Sequence, residues 1–167
     1  FYSPRAPFPC EAAPFGRQWF SLESKRQDLV AVEVAAAAQI IDRAVDRFLE
    51  ELSLQPGCLA LAGFSQGAMM ALHVGLRRAK PLAGILSYSG LLMAPELLAT
   101  QLRSKPPVLL IHGDRDTVVP PSSLPAAEAA LTSHGVPVES VLRPGLAHGI
   151  DPQGLLKGRA FLERVLR

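Results

Sequence analysis

Short apolar runs alternate along this sequence with longer segments of helical periodicity. Four runs have the length of a buried strand, and they span residues 58–64, 82–88, 107–111 and 136–142. A nearly all-apolar run of this length is typical of a strand buried on both faces, whereas the alternation in the last run indicates a strand nearer the sheet edge. Because strands alternating with helices form parallel sheets, the pattern predicts an α/β fold with a mainly parallel sheet.

Segments with helical spacing of apolar residues lie between and beside these runs, at residues 29–49, 66–78, 95–102, 123–134 and 154–165. They predict helices on both faces of the sheet. Residues 4–16 contain four prolines and few periodic apolar residues, which indicates a long loop. The sequence has no internal repeat and no sign of a second domain, so we expect a single domain over residues 1–167.

Composition and charge exclude several classes of protein. Hydrophobic residues make up 49% of the 167 residues and charged residues 19%, which indicates a folded globular chain rather than a disordered one. The formal net charge of +2 is too small to indicate binding to nucleic acid or to an anionic membrane. No apolar run approaches the roughly 20 residues that a membrane span needs. We therefore expect neither a nucleic-acid partner nor a membrane span.

The two cysteines give an indication of the cellular compartment. Cys10 and Cys58 form no spacing that is typical of a metal or redox site, and we do not expect a disulfide between them. Two cysteines in a domain of ordinary size fit a reducing compartment slightly better than an oxidising one. The cysteines therefore favour a cytoplasmic location.

The first signal of chemistry is a Gly-x-Ser-x-Gly motif at residues 63–67, centred on Ser65. It lies between a predicted buried strand and a predicted helix, which is the setting of a nucleophile elbow. In such a turn the serine hydroxyl is exposed at the carboxyl end of the sheet. The amide of Gln66 is then expected to face an oxyanion that develops on the substrate. The alternative is an ordinary glycine-rich turn between a strand and a helix.

A serine hydroxyl becomes a good nucleophile only beside a base that is held by a third group. Asp116 follows the predicted strand 107–111, and His148 follows the predicted strand 136–142. Both lie just beyond the carboxyl ends of their strands, at the edge where ligands bind in open α/β sheets. The sequence therefore predicts Ser65 as nucleophile, Asp116 as the orienting acid and His148 as the base.

Other titratable residues of this region are interpreted as structural. Asp114 is expected to be a turn former whose carboxylate caps local N–H groups. His112 precedes the acid and is expected to be a structural loop residue. His73 and His134 lie within a predicted helix and near the end of another, and solvated or satisfied roles suit both.

Together these motifs resemble the phospholipase/carboxylesterase family of α/β-hydrolases, which includes the acyl-protein thioesterases. The resemblance is carried by Gly63-Phe64-Ser65-Gln66-Gly67, His112-Gly113-x-x-Asp116-x-Val118-Val119-Pro120 and Gly145-x-x-His148, with Pro4-Arg5-Ala6-Pro7, Trp19-Phe20 and Ser89-Gly90 in support. It implies an α/β-hydrolase fold and places the family's catalytic roles on Ser65, Asp116 and His148. It also implies hydrolysis of carboxylic esters or thioesters without a metal or an organic cofactor.

One departure from the family pattern concerns the N-terminus. Members of the family begin with a strand and a His-Gly-x-Gly-like loop that supplies a second oxyanion donor, and the sequence from Phe1 onward contains neither. We therefore expect the sequence to be part of a longer protein rather than a naturally shortened enzyme, whose sheet would lack its first strands. If the chain starts at Phe1, the Gln66 amide is the oxyanion donor that remains, and impaired activity is expected because losing one donor costs about 10²–10³ in kcat.

The expected substrate is a small-molecule ester or thioester that is cleaved through an acyl-enzyme intermediate. Apolar candidates for a wall along the acyl chain are Trp19, Phe20, Leu91, Leu92 and Met93. Plain core or lid packing is the alternative for each of them. Two other function classes stay open, namely a peptidase or amidase on the same fold and an inactive binding protein that retains the triad. Because two-fold dimers are the commonest oligomers, a homodimer is also expected.

Overall fold

The computed structural model of the protein describes residues 1–13, 15–21 and 27–167. These residues form two compact units, residues 1–53 and residues 54–167. The expectation of one domain over residues 1–167 stays a prediction.

The first unit contains a short antiparallel pair and one long helix. Strand β1 (Phe8–Pro9) pairs with β2 (Arg17–Gln18), and helix α1 spans Gln27–Glu51. The segment 4–16, predicted as a loop, thus contains a two-residue strand, because the chain turns back on itself between β1 and β2; Pro14 lies outside the described residues. Buried side chains of α1 recur every three or four residues, at Val34, Ala37, Ile41, Val45 and Leu49. This stripe is the one that the helical spacing predicts.

The second unit is built from strands that alternate with helices. In chain order it contains a 3₁₀ turn (Pro56–Cys58), β3 (Ala60–Phe64), α2 (Gln66–Arg77), β4 (Gly84–Tyr88), a second 3₁₀ turn (Pro95–Leu97), α3 (Leu98–Gln101), β5 (Val108–Gly113), α4 (Ser123–Ser133), β6 (Val138–Arg143) and α5 (Pro152–Val165). The four strands pair in parallel in the order β3-β4-β5-β6. The predicted α/β architecture is therefore confirmed, with β6 at an edge of the four-stranded sheet as expected.

Helices cover both faces of this sheet, as the alternation of elements predicts. One hydrophobic cluster joins α2 and α4 to one face, and it includes Leu72, Leu76, Ile85, Leu110 and Leu131. A second cluster joins α5 to the opposite face, and it includes Leu86, Tyr88, Leu109, Ile111 and Phe161. Strand β5 contributes alternate residues to the two clusters, which is the period of two that a strand buried on both faces must show.

The register of the sheet sets where functional side chains can meet. Phe64 lies opposite Tyr88, Tyr88 opposite Ile111, and Ile111 opposite Val141. The carboxyl ends of the four strands are therefore aligned at one edge. The segments that follow β3, β5 and β6 leave the sheet at this edge, and they contain the three residues that the motifs single out.

Two further observations concern the environment of the chain. Within the described ranges no helix combines the length and the apolar character that crossing a bilayer requires. Cys10 and Cys58 are both free thiols, and Cys58 is exposed in the turn that precedes β3.

Candidate active site

Ser65 occupies a strained turn between β3 and α2. Its backbone has φ 52° and ψ −121°, a conformation that a residue with a side chain adopts only under constraint. The Ser65 amide donates to the Tyr88 carbonyl at 2.9 Å, and the Ser65 carbonyl accepts from the Met69 amide at 3.0 Å. A Cβ on Gly63 would overlap the backbone of Gly67, so only glycine lets the chain pass there. These constraints give the geometry that a nucleophile elbow requires.

Gln66 is the first residue of α2 and directly follows Ser65. Its amide therefore lies in the first turn, at the positive end of the dipole of a twelve-residue helix. That position favours negative charge beside the serine. The role of Gln66 as oxyanion donor stays a prediction.

Asp116 is buried, and both of its carboxylate oxygens accept hydrogen bonds. Oδ1 accepts from the amides of Val118 at 2.9 Å and Val119 at 2.8 Å, and Oδ2 lies 2.7 Å from His148 Nδ1. Burial alone would raise the pKa of Asp116, but the hydrogen bonds from His148, Val119 and Val118 together lower this pKa below its usual value. Asp116 is therefore an ionised carboxylate at neutral pH.

His148 is held on two sides. Because an ionised carboxylate can only accept, Nδ1 of His148 carries the proton in its bond to Asp116, and Nε2 is left as the ring's basic nitrogen. On the other side, the His148 and Phe64 rings lie with their centroids 4.7 Å apart. Phe64 directly precedes Ser65, so this contact brings the imidazole to the elbow.

His112 lies within β5 rather than in a loop, so the expectation of a loop residue is wrong. Its ring is 2% exposed, and Nε2 lies 3.0 Å from the Val119 carbonyl oxygen and 3.3 Å from Asp116 Oδ2. The reason is that β5 keeps pairing with β6 for two residues beyond the predicted end of the strand, to Gly113 opposite Arg143. His112 therefore packs against the loop that contains Asp116 and Val119.

Asp114 caps a distant amide rather than a local one, so that part of its interpretation is corrected. Its Oδ1 accepts from the Gly145 amide, 31 residues further along the chain, at 2.6 Å. The Arg115 amide donates to the Leu146 carbonyl at 3.0 Å. A Cβ on Gly113 would overlap that same Leu146 carbonyl oxygen, so the glycine makes room for the passing chain. The segments after β5 and β6 are thus joined side by side.

A salt bridge that the sequence analysis missed connects the ends of the segment that carries His148. Arg143, the last residue of β6, donates to Asp151 through Nε and Nη2, with a shortest distance of 2.8 Å. Asp151 also accepts from the Gly154 amide at 2.8 Å and so caps helix α5, which starts at Pro152 rather than at the predicted Gly154. An aspartate before a proline at the first helical position is a sequence signal that would have found this cap.

Of the five residues predicted to line an acyl chain, two lie in the first unit and three in the second. Trp19 and Phe20 belong to the first unit, where Phe20 is buried and Trp19 partly so. Leu92 is buried in the core cluster of the second unit, which matches the alternative of core packing. Leu91 and Met93 are partly buried. A role in substrate binding stays a prediction for these residues.

The remaining histidines differ from each other. His134 ends helix α4, and its Nδ1 lies 2.9 Å from the Ala130 carbonyl, a satisfied role as expected. His73 is neither solvated nor satisfied, because its Nδ1 is buried without a hydrogen-bond partner among the described residues. Burial, aided by the positive charge of Arg77, lowers the pKa of His73 to about 4. His73 is therefore a neutral side chain of the helix.

The site thus combines a serine in a strained turn, a buried carboxylate and a histidine bonded to that carboxylate. These are the parts that acyl transfer through a covalent intermediate requires. Among residues 1–13, 15–21 and 27–167, no group of three or more His, Cys, Asp or Glu side chains could hold a metal ion.

Comparison with known proteins gives a match over nearly the whole chain. The family model described as Phospholipase/Carboxylesterase matches residues 1–166. The crystal structure of esterase PE8 is similar with 41% sequence identity and a TM-score of 0.91, over 98% of this chain and 77% of that chain. The likeness therefore covers both sequence and fold.

Curated relatives with related names are also similar to the chain. Acyl-protein thioesterase 1 homolog 1 of Dictyostelium discoideum is 28% identical over 152 residues, which cover 89% of this chain and 67% of the relative. Esterase YpfH of Escherichia coli (strain K12) is 31% identical over 144 residues, which cover 85% of this chain and 60% of the relative. The chain thus spans 60% to 67% of the length of these two relatives.

Proposed function

The chain belongs to the phospholipase/carboxylesterase family of α/β-hydrolases, as its sequence motifs indicate, and from that membership we propose that it is a serine hydrolase cleaving carboxylic esters or thioesters. The observation that carries the proposal is the 2.7 Å contact between His148 Nδ1 and the buried Asp116 Oδ2, at the sheet edge where Ser65 leaves β3. The esterase and thioesterase names of similar proteins support this class of reaction.

The proposed reaction has two halves that share one base. Nε2 of His148 accepts the hydroxyl proton of Ser65 while Oγ attacks the substrate carbonyl carbon. The Gln66 amide donates to the resulting oxyanion, and ionised Asp116 stabilises the imidazolium. When the tetrahedral intermediate collapses, His148 protonates the departing alcohol or thiol. Water then attacks the acyl-enzyme with His148 as base, and the carboxylic acid leaves as Ser65 regains its proton.

An apolar acyl group is favoured by the side chains that flank the proposed catalytic residues. Phe64 precedes Ser65, Val118 lies two residues after Asp116, and Ile150 lies two residues after His148; all three are more than a third exposed. Exposed apolar side chains at the rim of a polar site gain free energy when an apolar ligand covers them. A small-molecule substrate with an apolar acyl chain fits this rim.

A fluorophosphonate probe tests the nucleophile, because it reacts with activated serine hydroxyls. We expect a single adduct on Ser65, located by peptide mass spectrometry, and a much slower reaction in His148→Ala and Asp116→Asn. Ser53 and Ser89 are internal controls, since they share the positive φ of Ser65 but are expected to stay unlabelled. Absence of an adduct on Ser65, or labelling that is unaffected in His148→Ala, would overturn the proposal.

Turnover of matched substrates tests the class of bond that is cleaved. We expect an ester and a thioester with the same acyl chain to be hydrolysed much faster than the corresponding anilide. Comparable rates on the anilide would favour a peptidase or amidase. Binding of the esters without turnover, together with an unlabelled Ser65, would favour a binding protein.

Two further expectations from the sequence stay predictions. A homodimer is testable by the molar mass in sedimentation or light scattering. A cytoplasmic location is testable by fractionation of the source cells.

A further inference from the structure

We propose that Asp114 is a positioning residue. It fixes the backbone of the base loop, residues 144–150, and so holds the His148 side chain in place beside Asp116. The inference rests on the proposed function and concerns the same site. Asp114 is an exposed carboxylate whose Oδ1 accepts from the Gly145 amide at 2.6 Å. Its effect on His148 is therefore indirect and passes through the main chain.

The amide that Asp114 accepts from belongs to a tight turn. The Leu146 amide faces the Arg143 carbonyl at 3.4 Å, and Gly145 has φ 74°. Proline followed by a glycine of positive φ is the pattern of a type II turn. The hydrogen bond of that turn uses the Leu146 amide and leaves the Gly145 amide to an outside acceptor. An ionised carboxylate is the strongest acceptor that a side chain offers.

Three consecutive residues after β5 hold three residues of the base loop. Asp114 Oδ1 accepts from Gly145, the Arg115 amide donates to the Leu146 carbonyl, and Asp116 Oδ2 accepts from His148. Residues 114–116 thus hold the base loop in place through three hydrogen bonds. Of these three contacts, the Asp114 contact alone can be removed by a side-chain substitution that leaves the proposed catalytic residues in place.

Loss of the Asp114 carboxylate leaves the turn joined to residues 114–116 by backbone contacts at its two ends, from the Asp114 amide to the Arg143 carbonyl at 3.1 Å and from the Arg115 amide to the Leu146 carbonyl at 3.0 Å. The Gly145 amide between these two ends then has lost its acceptor. A shift of about 1 Å in a reacting group can lower a rate by about 10². We therefore expect Asp114→Ala to lower kcat for an ester substrate about 10- to 100-fold with little change in KM. Asp114→Asn keeps an acceptor oxygen at the same place, so its kcat is expected to stay within about fivefold of that of the unmodified protein.

Glu128 provides a matched control. Its carboxylate accepts from the Ser140 hydroxyl at 2.7 Å and so contacts β6, the strand that leads into the base loop. Glu128→Ala removes a carboxylate contact to this region without touching residues 144–150. We expect kcat and KM of Glu128→Ala to equal those of the unmodified protein.

A double-mutant cycle with His148 separates positioning from general destabilisation. If Asp114 acts through His148, Asp114→Ala should add less than about twofold to the loss in a His148→Ala background, because no base is left to position. The readouts are kcat and the rate of fluorophosphonate labelling of Ser65. Should Asp114→Ala fail to fold, Asp114→Ser, whose side chain is too short for the contact, takes its place in the cycle.

The outcomes distinguish this inference from the proposed function. Equal losses from Asp114→Ala in both backgrounds, or a kcat that Asp114→Ala leaves unchanged, overturn the positioning role. A Ser65 that is unlabelled even in the unmodified protein overturns the proposed function instead. Loss with Asp114→Ala, rescue by Asp114→Asn and non-additivity with His148→Ala support the inference.

Discussion

The rings of Phe64 and His148 lie 4.7 Å apart at an interplanar angle of 43°, so the last residue of β3 contacts the base loop directly. Nδ1 of the same imidazole is bonded to Asp116. The imidazole is therefore restrained by a carboxylate bonded to one ring nitrogen and by the neighbouring aromatic ring. Both restraints come from residues beside or within the proposed triad.

Replacing Phe64 with alanine should weaken catalysis more than stability. Loss of an aromatic contact of about 0.5–1.5 kcal/mol corresponds to a fall in kcat of about two- to tenfold, if the contact orients the base. Leu97 is a matched control, because both side chains are 38% exposed and Leu97 lies in the turn before α3. Steady-state kinetics of Phe64→Ala and Leu97→Ala check this, and equal kcat values would contradict the orienting role.

Asp116→Asn should leave the fold but remove most of the activity. The amide of asparagine can donate to Nδ1 and so favours the wrong tautomer of His148, which in a comparable triad costs about 10⁴ in kcat. The measurement is kcat for an ester, with the near-ultraviolet circular dichroism of the variant as the control for folding. A folded variant with less than a tenfold loss would show that Asp116 is not the orienting acid.

Gly113→Ala should destabilise the protein because its Cβ would overlap the Leu146 carbonyl oxygen. Overpacking of this kind costs about 1–3 kcal/mol in the free energy of unfolding. Gly149 is the matched control in the base loop, since a Cβ there meets no atom within 4 Å. Urea denaturation of Gly113→Ala and Gly149→Ala compares the two, and equal midpoints would contradict the close approach of the loops.

The alternation of strands and helices was predictable because the strands lie in apolar runs. The expectation that the first run is buried on both faces is wrong, because β3 lies at an edge of the four-stranded sheet and its residues are partly buried or exposed. The position of Ser65 was equally predictable, since a Gly-x-Ser-x-Gly motif between such a run and a helix has few structural interpretations. The residues at which the strands end were harder to predict. Residues 112 and 113 continue β5 only because β6 offers partners that far, and pairing partners lie outside the local sequence.

The long-range contacts of the site could not be predicted from local patterns. An aspartate after a strand commonly caps a nearby amide, so the sequence predicts a local role for Asp114. Its true partner, Gly145, becomes a neighbour only through the parallel pairing of β5 with β6. Likewise the contact between Phe64 and His148 depends on the path of a loop that no spacing rule describes.

The free energy of unfolding should decrease as the pH is lowered from about 6.5 to about 4, because His73 stays neutral over this range in the folded protein. Its pKa is about 4 in the folded state because of burial, against 6.5 for an ordinary histidine. Between these values the unfolded chain binds a proton that the folded protein does not, so the free energy of unfolding decreases from about pH 6.5 towards about pH 4. His73→Gln removes this contribution.

Thermal melting of both proteins from pH 7 to pH 4.5 measures the difference. The melting temperature of the unmodified protein is expected to fall more steeply than that of His73→Gln over this range. Parallel curves would show that His73 has the same proton affinity in both states.

The parallel pairing of β5 with β6 also has a consequence for the newly made chain. A parallel neighbour cannot be added by a hairpin, so β6 reaches the sheet only after α4 has carried the chain back across it. When synthesis has just reached Asp116, the residues of the turn at Ser65 are already made, but His148 has not yet been added to the chain. The hydrogen bond between Asp116 and His148 therefore forms late in biogenesis, and a nascent chain halted before β6 would hold Ser65 and Asp116 without the proposed base.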